Sequence, residues 1–414
     1  MELLDVGRIV LGVVLLVGGA ELLVRGAASL AVRAGMSSLV VGLTVVAAAT
    51  STPELAVTLG AVLDGETGLA IGNVVGSNIA NILLILGASA LIAPLAVRRV
   101  LVRMDIPYLI GLAILTLFFA LDGRISRLEG GILLLLLGVH TALALWLSRR
   151  DGDGQAGEGK DAAGREPPGE PTAPRSPGPG QGATATKPRS LAKGPWQVVL
   201  AAYRNPGVLV AILLVVVGVG LLVLGARVLV TGAVNIASAM GVSGLVIGLT
   251  VVAIGTSLPE LATSLIAALR GERDIAVGNI VGSCIFNLGL VLGLPALLAP
   301  GGGLEIPGPA IALDIPLMIA ATVALAPVAF TGYRVGRREG GLFMALYIAY
   351  VGFVVLDATR HDALEGFTTV MVVLVLPLVL LTLVGTVAFD LGRRKERKAA
   401  DAGQDDEIDR AWRT

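Results

Sequence analysis

The chain has 414 residues, of which 55% are hydrophobic and only 15% are charged, and its mean hydropathy is +0.85. Roughly a quarter of the residues of a soluble domain are charged, so this composition excludes an ordinary soluble protein and indicates an integral membrane protein. The formal net charge is zero. We therefore expect the lipid bilayer, and not nucleic acid, to be the main partner of the chain.

Uncharged runs long enough to cross a bilayer, about 20 residues at the helical rise, recur from near Val6 almost to Phe389. We predict transmembrane helices at 6–24, 37–62, 68–95, 105–121, 130–147, 206–230, 241–268, 275–299, 309–330, 341–356 and 367–389. The expected fold is all-α, an integral membrane protein with about 11 transmembrane helices.

Basic residues concentrate in the loops that follow odd-numbered predicted helices. They are Arg33, Arg98, Arg99, Arg103, Arg149, Arg150, Arg334, Arg337, Arg338 and the final run "RRKERK" at 393–398. The positive-inside rule then predicts a multi-pass protein of the cell (inner) membrane, with its N-terminus outside and its C-terminus in the cytoplasm. Arg270 and Arg273 leave the face of the connection between the seventh and eighth helices ambiguous.

A change of composition divides the chain into domains. From Asp151 to about Gly194 it is rich in Gly, Pro, Ala and Ser with mixed charges, as in "EPPGEPTAPRSPGPG". Such a segment cannot bury a core. We predict a disordered cytoplasmic linker at 151–204 between a first domain at 1–150 and a second at 205–358. An extra transmembrane helix within 359–392 and a charged cytoplasmic tail at 393–414 follow.

The two domains resemble each other at an offset of 206 residues. The segment "GLTVVAAATSTPEL" at 42–55 matches "GLTVVAIGTSLPEL" at 248–261, and "GNVVGSNIANI" at 72–82 matches "GNIVGSCIFNL" at 278–288. Five helices are predicted in each half, and because five is odd the second copy enters the membrane from the opposite side. The chain is thus predicted to contain two inverted-topology repeats of five helices, an architecture of secondary transporters.

An isolated carboxylate marks the first repeat, since Glu54 is the only charged residue from Ala34 to Leu63. One helical face, with spacing i, i+3, i+4 and i+7, is formed by Ala47, Thr50, Ser51 and Glu54. Pro53 has no amide hydrogen and crowds the carbonyl of Ala49, so we predict a kink just before Glu54. Such a kink leaves carbonyl groups without a partner, and a cation is one partner that they can take.

Further oxygens come from the next helix and from the second repeat. Ser77 and Asn81 lie four residues apart on one face, and the mirrored set is Ala253, Thr256, Ser257, Glu260, Ser283 and Asn287. Two carboxylates with many neutral oxygens suit a hard cation such as Ca²⁺, which takes six to eight oxygen ligands. A single buried Glu can be a structural residue bonded to a neighbouring helix. Two copies in matched sequence favour a functional role.

These motifs resemble the two alpha-repeats of the calcium/cation antiporter superfamily, most closely its prokaryotic sodium/calcium exchanger branch. The resemblance rests on "ATSTPE" at 49–54, "GTSLPE" at 255–260 and the "GNVVGS" and "GNIVGS" segments downstream, and it extends over nearly all predicted helices. It implies ten helices in two inverted halves, whose signature segments meet at mid-membrane, and a Na⁺ gradient that drives Ca²⁺ across.

The resemblance also implies roles for individual residues. Glu54 and Glu260, with the carbonyls of Thr50 and Thr256, would bind Ca²⁺. The implied Na⁺ sites comprise Ala47, Ser51, Ser77, Ala253, Ser257 and Ser283, and Asn81 and Asn287 would face the central site. Asn287 stands where several relatives carry Asp, which argues against an ion dependence tied to that Asp, such as K⁺ co-transport. The eleventh predicted helix exceeds the ten of the family.

We interpret the chain as an antiporter that exchanges Na⁺ for Ca²⁺ by alternating access and moves net charge, with no enzymatic chemistry and no cofactor. Ca²⁺/H⁺ exchange, in which Glu54 and Glu260 carry protons, is the main alternative, and the hydroxyl pairs implied at the Na⁺ sites argue against it. An intramembrane hydrolase using Ser257 or Thr256 would lack a His or Lys base in the repeat cores. A passive channel is disfavoured by inverted repeats with helix breakers at mid-span.

Overall fold

The computed structural model describes residues 3–33, 36–162, 207–239, 253–382 and 384–385. Its helices are α1 Leu3–Arg33, α2 Ser38–Thr50, α3 Thr52–Leu63, α4 Thr67–Ile92, α5 Leu101–Ala120, α6 Arg127–Ala162, α7 Val208–Ala239, α8 Ala253–Thr256, α9 Leu258–Leu269, α10 Arg273–Leu298, α11 Ala310–Phe330, α12 Arg337–Ala358 and α13 Ala363–Thr382. The fold is therefore the helical membrane protein that the composition predicts.

Several of these helices contain a short π-helical turn that does not end them. The turns lie at Gly42–Val46, Ala80–Ile85, Leu101–Asp105, Asn287–Val291, Ala310–Asp314 and Met371–Val375. A π turn changes the face on which the following side chains lie, and such turns are frequent at functional sites. Two of them, in α4 and α10, carry Asn81 and Asn287.

In the described part of the chain, nine helices are long and apolar enough to cross a membrane, and the bent pair of α2 and α3 makes a tenth. The predicted seventh span, 241–268, begins among residues that the structure does not describe, and α8 and α9 form its described part. The count of eleven stays a prediction. Helix α6 runs to Ala162, beyond Asp151 where the sequence placed the start of the linker. The remainder of that linker and the predicted tail lie outside the described residues.

Two short antiparallel strand pairs reveal the relation between the halves. Strand β1 (Leu95–Ala96) pairs with β4 (Arg334–Val335), and β2 (Arg124–Ser126) pairs with β3 (Gly303–Glu305). In each pair, the connection that follows the third helix of one half meets the connection that follows the fourth helix of the other. An inverted two-fold relation requires this exchange at both faces, so the predicted inverted repeat is confirmed.

The pairing also shows on which face of the protein the connection between α9 and α10 lies, which the sequence left ambiguous. Helix α10 packs against β1, and Arg98, just beyond β1, acts electrostatically on Asp274 at the start of α10. The connection at 270–272 therefore lies on the same face of the protein as Arg98.

Burial identifies the centre of the helix bundle. In the most apolar part of α4, 72% of the residues are buried, and in that of α10 the share is 78%. In the corresponding part of α13 none are buried. Because α4 and α10 are two-fold counterparts, the core is built around the pair, and α13 lies at the periphery. The signature segments of both halves pack against these two helices.

Helices α1 and α7 pack closely and antiparallel along their length. A Cβ atom added to Gly12 would lie 2.9 Å from the carbonyl oxygen of Gly225, and one added to Gly19 would lie 2.8 Å from that of Gly218. Only glycine permits two helix backbones to approach this closely. Gly12 therefore lies level with Gly225, and Gly19 with Gly218.

Candidate cation site

Helix breaks position both signature carboxylates. Between α2 and α3 the backbone leaves the helical region at Ser51 (φ −81°, ψ 5°), and the two helix axes differ by 43°. Pro53 lies in the first turn of α3, where its missing amide hydrogen costs nothing. The kink predicted before Glu54 is thus confirmed. The second half repeats it at Ser257 (φ −89°, ψ 7°), between α8 and α9.

Glu54 and Glu260 lie in the first turns of α3 and α9, and only 1% and 0% of their surfaces are exposed. The N-terminal end of a helix favours negative charge. The two carboxyl groups nevertheless lie close enough to act on each other directly, and a buried pair of like charges is costly without compensation. A bound cation or a shared proton can supply that compensation.

Serine hydroxyls cross between the halves to reach these carboxylates. Ser51 Oγ donates to Glu260 Oε1 and Ser257 Oγ donates to Glu54 Oε1, each at 3.4 Å. Each carboxylate is therefore contacted by the helix break of the opposite half. The sequence places the four residues in two segments about 200 residues apart, and the fold brings them into one site.

Three further hydroxyls, those of Ser77, Thr50 and Ser283, extend the site. Ser257 Oγ lies 3.2 Å from Ser77 Oγ, and Thr50 Oγ1 lies 3.4 Å from Ser283 Oγ. All of these serine and threonine side chains carry an oxygen that can accept as well as donate. Ser77 and Ser283, predicted from sequence, are thus brought beside the helix breaks.

The amides of Asn81 and Asn287 lie at the centre without hydrogen-bond partners. Their side-chain oxygen and nitrogen atoms are buried and unpaired among the described residues, as are Oε2 of Glu54 and Oε2 of Glu260. Helix α9 packs on the π turn of Asn81, and α3 packs on that of Asn287. A buried polar group without a partner costs about 1–3 kcal/mol. Four such residues in one place indicate a site built for an oxygen-binding ligand.

The structure gives less direct evidence for Ala47, Ala253, Thr50 and Thr256, the remaining residues that the resemblance implies. The carbonyl of Ala47 accepts the amide of Ser51 at 3.0 Å, which closes a helical turn, and it also lies 3.4 Å from the Thr50 hydroxyl. Ala253 begins α8, and its side chain lies outside the described part of the structure. Thr50 is buried at the end of α2, and Thr256 holds the equivalent place at the end of α8.

Two asparagines that the sequence reasoning did not select hold the site together. Thr256 Oγ1 donates to Asn73 Oδ1 at 3.2 Å, and Asn73 Nδ2 donates to Thr58 Oγ1 at 2.9 Å and to the Glu54 carbonyl at 3.2 Å. Asn73 therefore ties α4 to both helix breaks.

Its counterpart Asn279 repeats the arrangement, with Thr50 Oγ1 donating to Oδ1 at 3.2 Å and Nδ2 donating to Ser264 Oγ at 3.0 Å. A signal for both was present in the sequence. Each is the Asn of a "GN" dipeptide that repeats at the 206-residue offset.

The donor set consists of oxygens with two carboxylates. The described residues include no group of three or more His, Cys, Asp or Glu side chains that could hold a metal ion. Coordination at this centre therefore depends on hydroxyl, amide and carbonyl oxygens around two acids. That chemistry suits hard cations such as Ca²⁺ and Na⁺ better than the softer transition metals.

Two inverted halves that enclose a buried, acidic, oxygen-lined centre define a secondary cation transporter. The family model described as "Sodium/calcium exchanger protein" matches residues 4–146 and 210–356. The chain belongs to the sodium/calcium exchanger family. The two matched segments flank the predicted linker and end before α13.

Two curated relatives match over most of the chain, and a third matches a shorter segment. The chain is 37% identical over 345 residues to the putative antiporter CaxA of Alkalimonas amylolytica, covering 83% of this chain and 96% of CaxA. It is 35% identical over 353 residues to the inner membrane protein YrbG of Escherichia coli, covering 85% and 97%. The sodium/calcium exchanger MaX1 of Methanosarcina acetivorans is 41% identical over 114 residues, which is 28% of this chain and 33% of MaX1.

A solved structure agrees in fold. The sodium-calcium exchanger NCX_Mj, soaked with 2.5 mM Na⁺ and 0.1 mM Ca²⁺, superposes with a TM-score of 0.65 at 30% identity, covering 85% of this chain and 99% of NCX_Mj. The family and these relatives support cation/Ca²⁺ antiport by a multi-pass membrane protein.

Proposed function

We propose that the protein exchanges Na⁺ for Ca²⁺ across the cell membrane by alternating access, with net movement of charge. The observation that carries this proposal is the pair of buried carboxylates, Glu54 and Glu260, each bonded by a hydroxyl of the opposite half and each with an oxygen that has no partner. A cation at this centre would satisfy both halves at once. Because the ligands come from both repeats, movement of one repeat against the other can change the face from which the site is reached.

In this proposal Ca²⁺ is held by the carboxylates of Glu54 and Glu260 with carbonyl oxygens of Thr50 and Thr256. One Ca²⁺ neutralises two carboxylates, so the loaded centre carries no net charge. The unpartnered amide oxygens of Asn81 and Asn287 face the same ion or its water ligands. Six to eight oxygens are the number that Ca²⁺ takes.

The Na⁺ ions take the positions flanking the centre. The proposed ligands are oxygens of Ala47, Ser51 and Ser77 on one side and of Ala253, Ser257 and Ser283 on the other. The 3.2 Å contact of Ser257 with Ser77 brings hydroxyl oxygens of the two groups within reach of one small cation, so it supports Na⁺ binding where the two groups meet. A proton needs no such cluster of neutral oxygens, which is why Na⁺ coupling is preferred to proton coupling.

We also propose that the N-terminus lies outside and the C-terminal tail in the cytoplasm. The β1–β4 pairing brings the arginine-rich segments near Arg98 and Arg334 to one face, and the positive-inside rule assigns such a face to the cytoplasm. A cysteine introduced at Glu66, between α3 and α4, should then react with an impermeant maleimide added outside intact cells. Reaction only after the cells are opened would reverse the assignment.

The coupling ion is tested by Ca²⁺ uptake into vesicles that contain the purified protein. An outward Na⁺ gradient should drive uptake, and a proton gradient of equal size, without Na⁺, should not. Glu66→Gln, which removes an exposed acid outside the site, is the matched control and should transport normally. Uptake driven by protons alone would replace Na⁺ coupling with Ca²⁺/H⁺ exchange.

A further inference from the structure

An ion pair outside the cation site joins the two halves within the bundle. Glu21 of α1 pairs with Arg270, the residue directly after α9, and their side chains are 29% and 30% exposed. Glu21 lies well inside the apolar part of α1, which spans Leu4–Ala31. A charged side chain at membrane depth is costly unless it is paired. The ion pair therefore stabilises the packing of α1 on α9.

The two-fold relation assigns each member of this pair a counterpart. The 206-residue offset relates Glu21 to Arg227 on α7 and Arg270 to Asp64, the residue directly after α3. The sign of the charge is reversed at both positions. Arg227 and Asp64 therefore carry opposite charges and would attract each other as Glu21 and Arg270 do.

The second pair is open in this structure. Arg227 and Asp64 are both exposed, and the ion pairs among the described residues do not join them. The packing of the helices that carry these residues shows the same difference between the halves. Helix α1 packs along α9, whereas its counterpart α7 makes at most marginal contact with α3. The structure therefore holds one closed and one open copy of the same contact.

The closed and open pairs lie toward opposite faces of the membrane. Gly12 is level with Gly225 along the α1–α7 contact, which puts Arg227 near the level of residue 10. Glu21 is eleven residues further along α1, a separation of about 16 Å at the helical rise. Arg227 therefore cannot substitute for Arg270 as the partner of Glu21.

We propose that Glu21–Arg270 and Asp64–Arg227 are two ion pairs that close alternately and position the α1–α7 pair in the two conformers of transport. In the conformer seen here, α1 is held on α9. In the two-fold-related conformer, α7 takes the corresponding place on α3, Arg227 meets Asp64 and Glu21 separates from Arg270. The inference rests on the alternating access proposed above, and it adds the residues that balance the two conformers.

The first test is cross-linking, which does not depend on transport. In a Cys284→Ala background, Glu21→Cys with Arg270→Cys and Asp64→Cys with Arg227→Cys should each be bridged by a short bis-maleimide. A disulfide is unsuitable because the long side chains keep the Cβ atoms further apart than a disulfide allows. The mixed pair Glu21→Cys with Asp64→Cys is the control and should not be bridged.

The second test asks whether the two pairs compete. Glu21→Gln should accelerate cross-linking between Asp64→Cys and Arg227→Cys by about fivefold, the effect of ~1 kcal/mol on a two-state equilibrium. A pair with a purely structural role would leave the rate unchanged. Thr52→Ala, a change on the exposed side of α3, is the control and should also leave it unchanged.

Charge reversal completes the design. Arg227→Glu alone should slow Ca²⁺ exchange, and adding Asp64→Arg should restore it. Failure of the Asp64–Arg227 thiols to be bridged while Ca²⁺ exchange proceeds would overturn the alternating pairs and leave the transport function intact. Reciprocal cross-linking in a protein that transports no Ca²⁺ would support the alternating pairs and overturn the transport proposal.

Discussion

Contacts at the centre of the molecule keep the two-fold relation between the halves, whereas contacts at its periphery do not. At the centre the contacts repeat, since Ser51 reaches Glu260 as Ser257 reaches Glu54, both at 3.4 Å. At the periphery Glu21 meets Arg270 while Arg227 and Asp64 stay apart. In our proposal the central residues bind ions in both conformers and can keep the symmetry, whereas groups that distinguish the conformers must break it.

The largest expected effect comes from removing either central charge. Glu54→Gln and Glu260→Gln should each reduce Ca²⁺ exchange by at least about 100-fold, because an amide keeps the shape but leaves one carboxylate to hold a divalent ion. Flux of ⁴⁵Ca²⁺ into vesicles measures the loss, and size-exclusion chromatography confirms folding. If one variant transports at the parent rate, that Glu is structural and the central symmetry is only apparent.

The charge count at the centre predicts a response to voltage. One Ca²⁺ neutralises two carboxylates, whereas three Na⁺, the load that we propose for exchange with net movement of charge, would leave a charge of +1. Moving one charge through 100 mV is worth about 2.3 kcal/mol, so a negative-inside potential should favour Na⁺-driven Ca²⁺ efflux by more than about tenfold. Clamping vesicles with K⁺ and valinomycin tests this. If the steady-state Ca²⁺ gradient does not change with the membrane potential, exchange is electroneutral.

The two supporting asparagines offer a direct comparison of the halves. Asn73→Ala and Asn279→Ala each remove the amide that bonds a threonine of the opposite half, at a cost of about 1–3 kcal/mol. Both should weaken Ca²⁺-dependent thermal stabilisation, and to a similar extent, when melting is followed with and without Ca²⁺. Asn78→Ala, on the same helix with its amide bonded to Val74 within that helix, is the control. Unequal losses would show that the centre is less symmetric than its contacts.

The smallest effect is expected for the segment between the halves. Deletion of residues 165–190, a segment rich in Gly, Pro and Ala that the sequence predicts to be a linker, should leave Ca²⁺ exchange within about twofold of the parent, because a change in loop length costs little free energy. Vesicle flux on the deletion and parent proteins provides the measurement. A folded deletion variant that loses exchange would place a regulatory element in this segment.

Much of the site could be predicted from the repeat itself. A matched carboxylate, proline and hydroxyl pattern at a fixed offset selected Glu54, Glu260 and the serines, and the structure brings these side chains together. Asn73 and Asn279 were overlooked although the same offset contains them, because a single amide in an apolar helix has no spacing pattern of its own. Their role depends on which hydroxyls the neighbouring helices present.

The sequence alone determined the membrane class, the inverted repeat and the position of the helix breaks. Each follows from local chemistry: apolar length matched to the bilayer, an odd number of helices per copy, and a proline without an amide hydrogen. Tertiary structure decided which pairs meet. Glu21 meets Arg270 because α1 packs on α9, and Arg227 stays apart from Asp64 because α7 makes at most marginal contact with α3. The helix packing thus decides that the first pair meets in this structure, and the second pair is the contact proposed for the two-fold-related conformer.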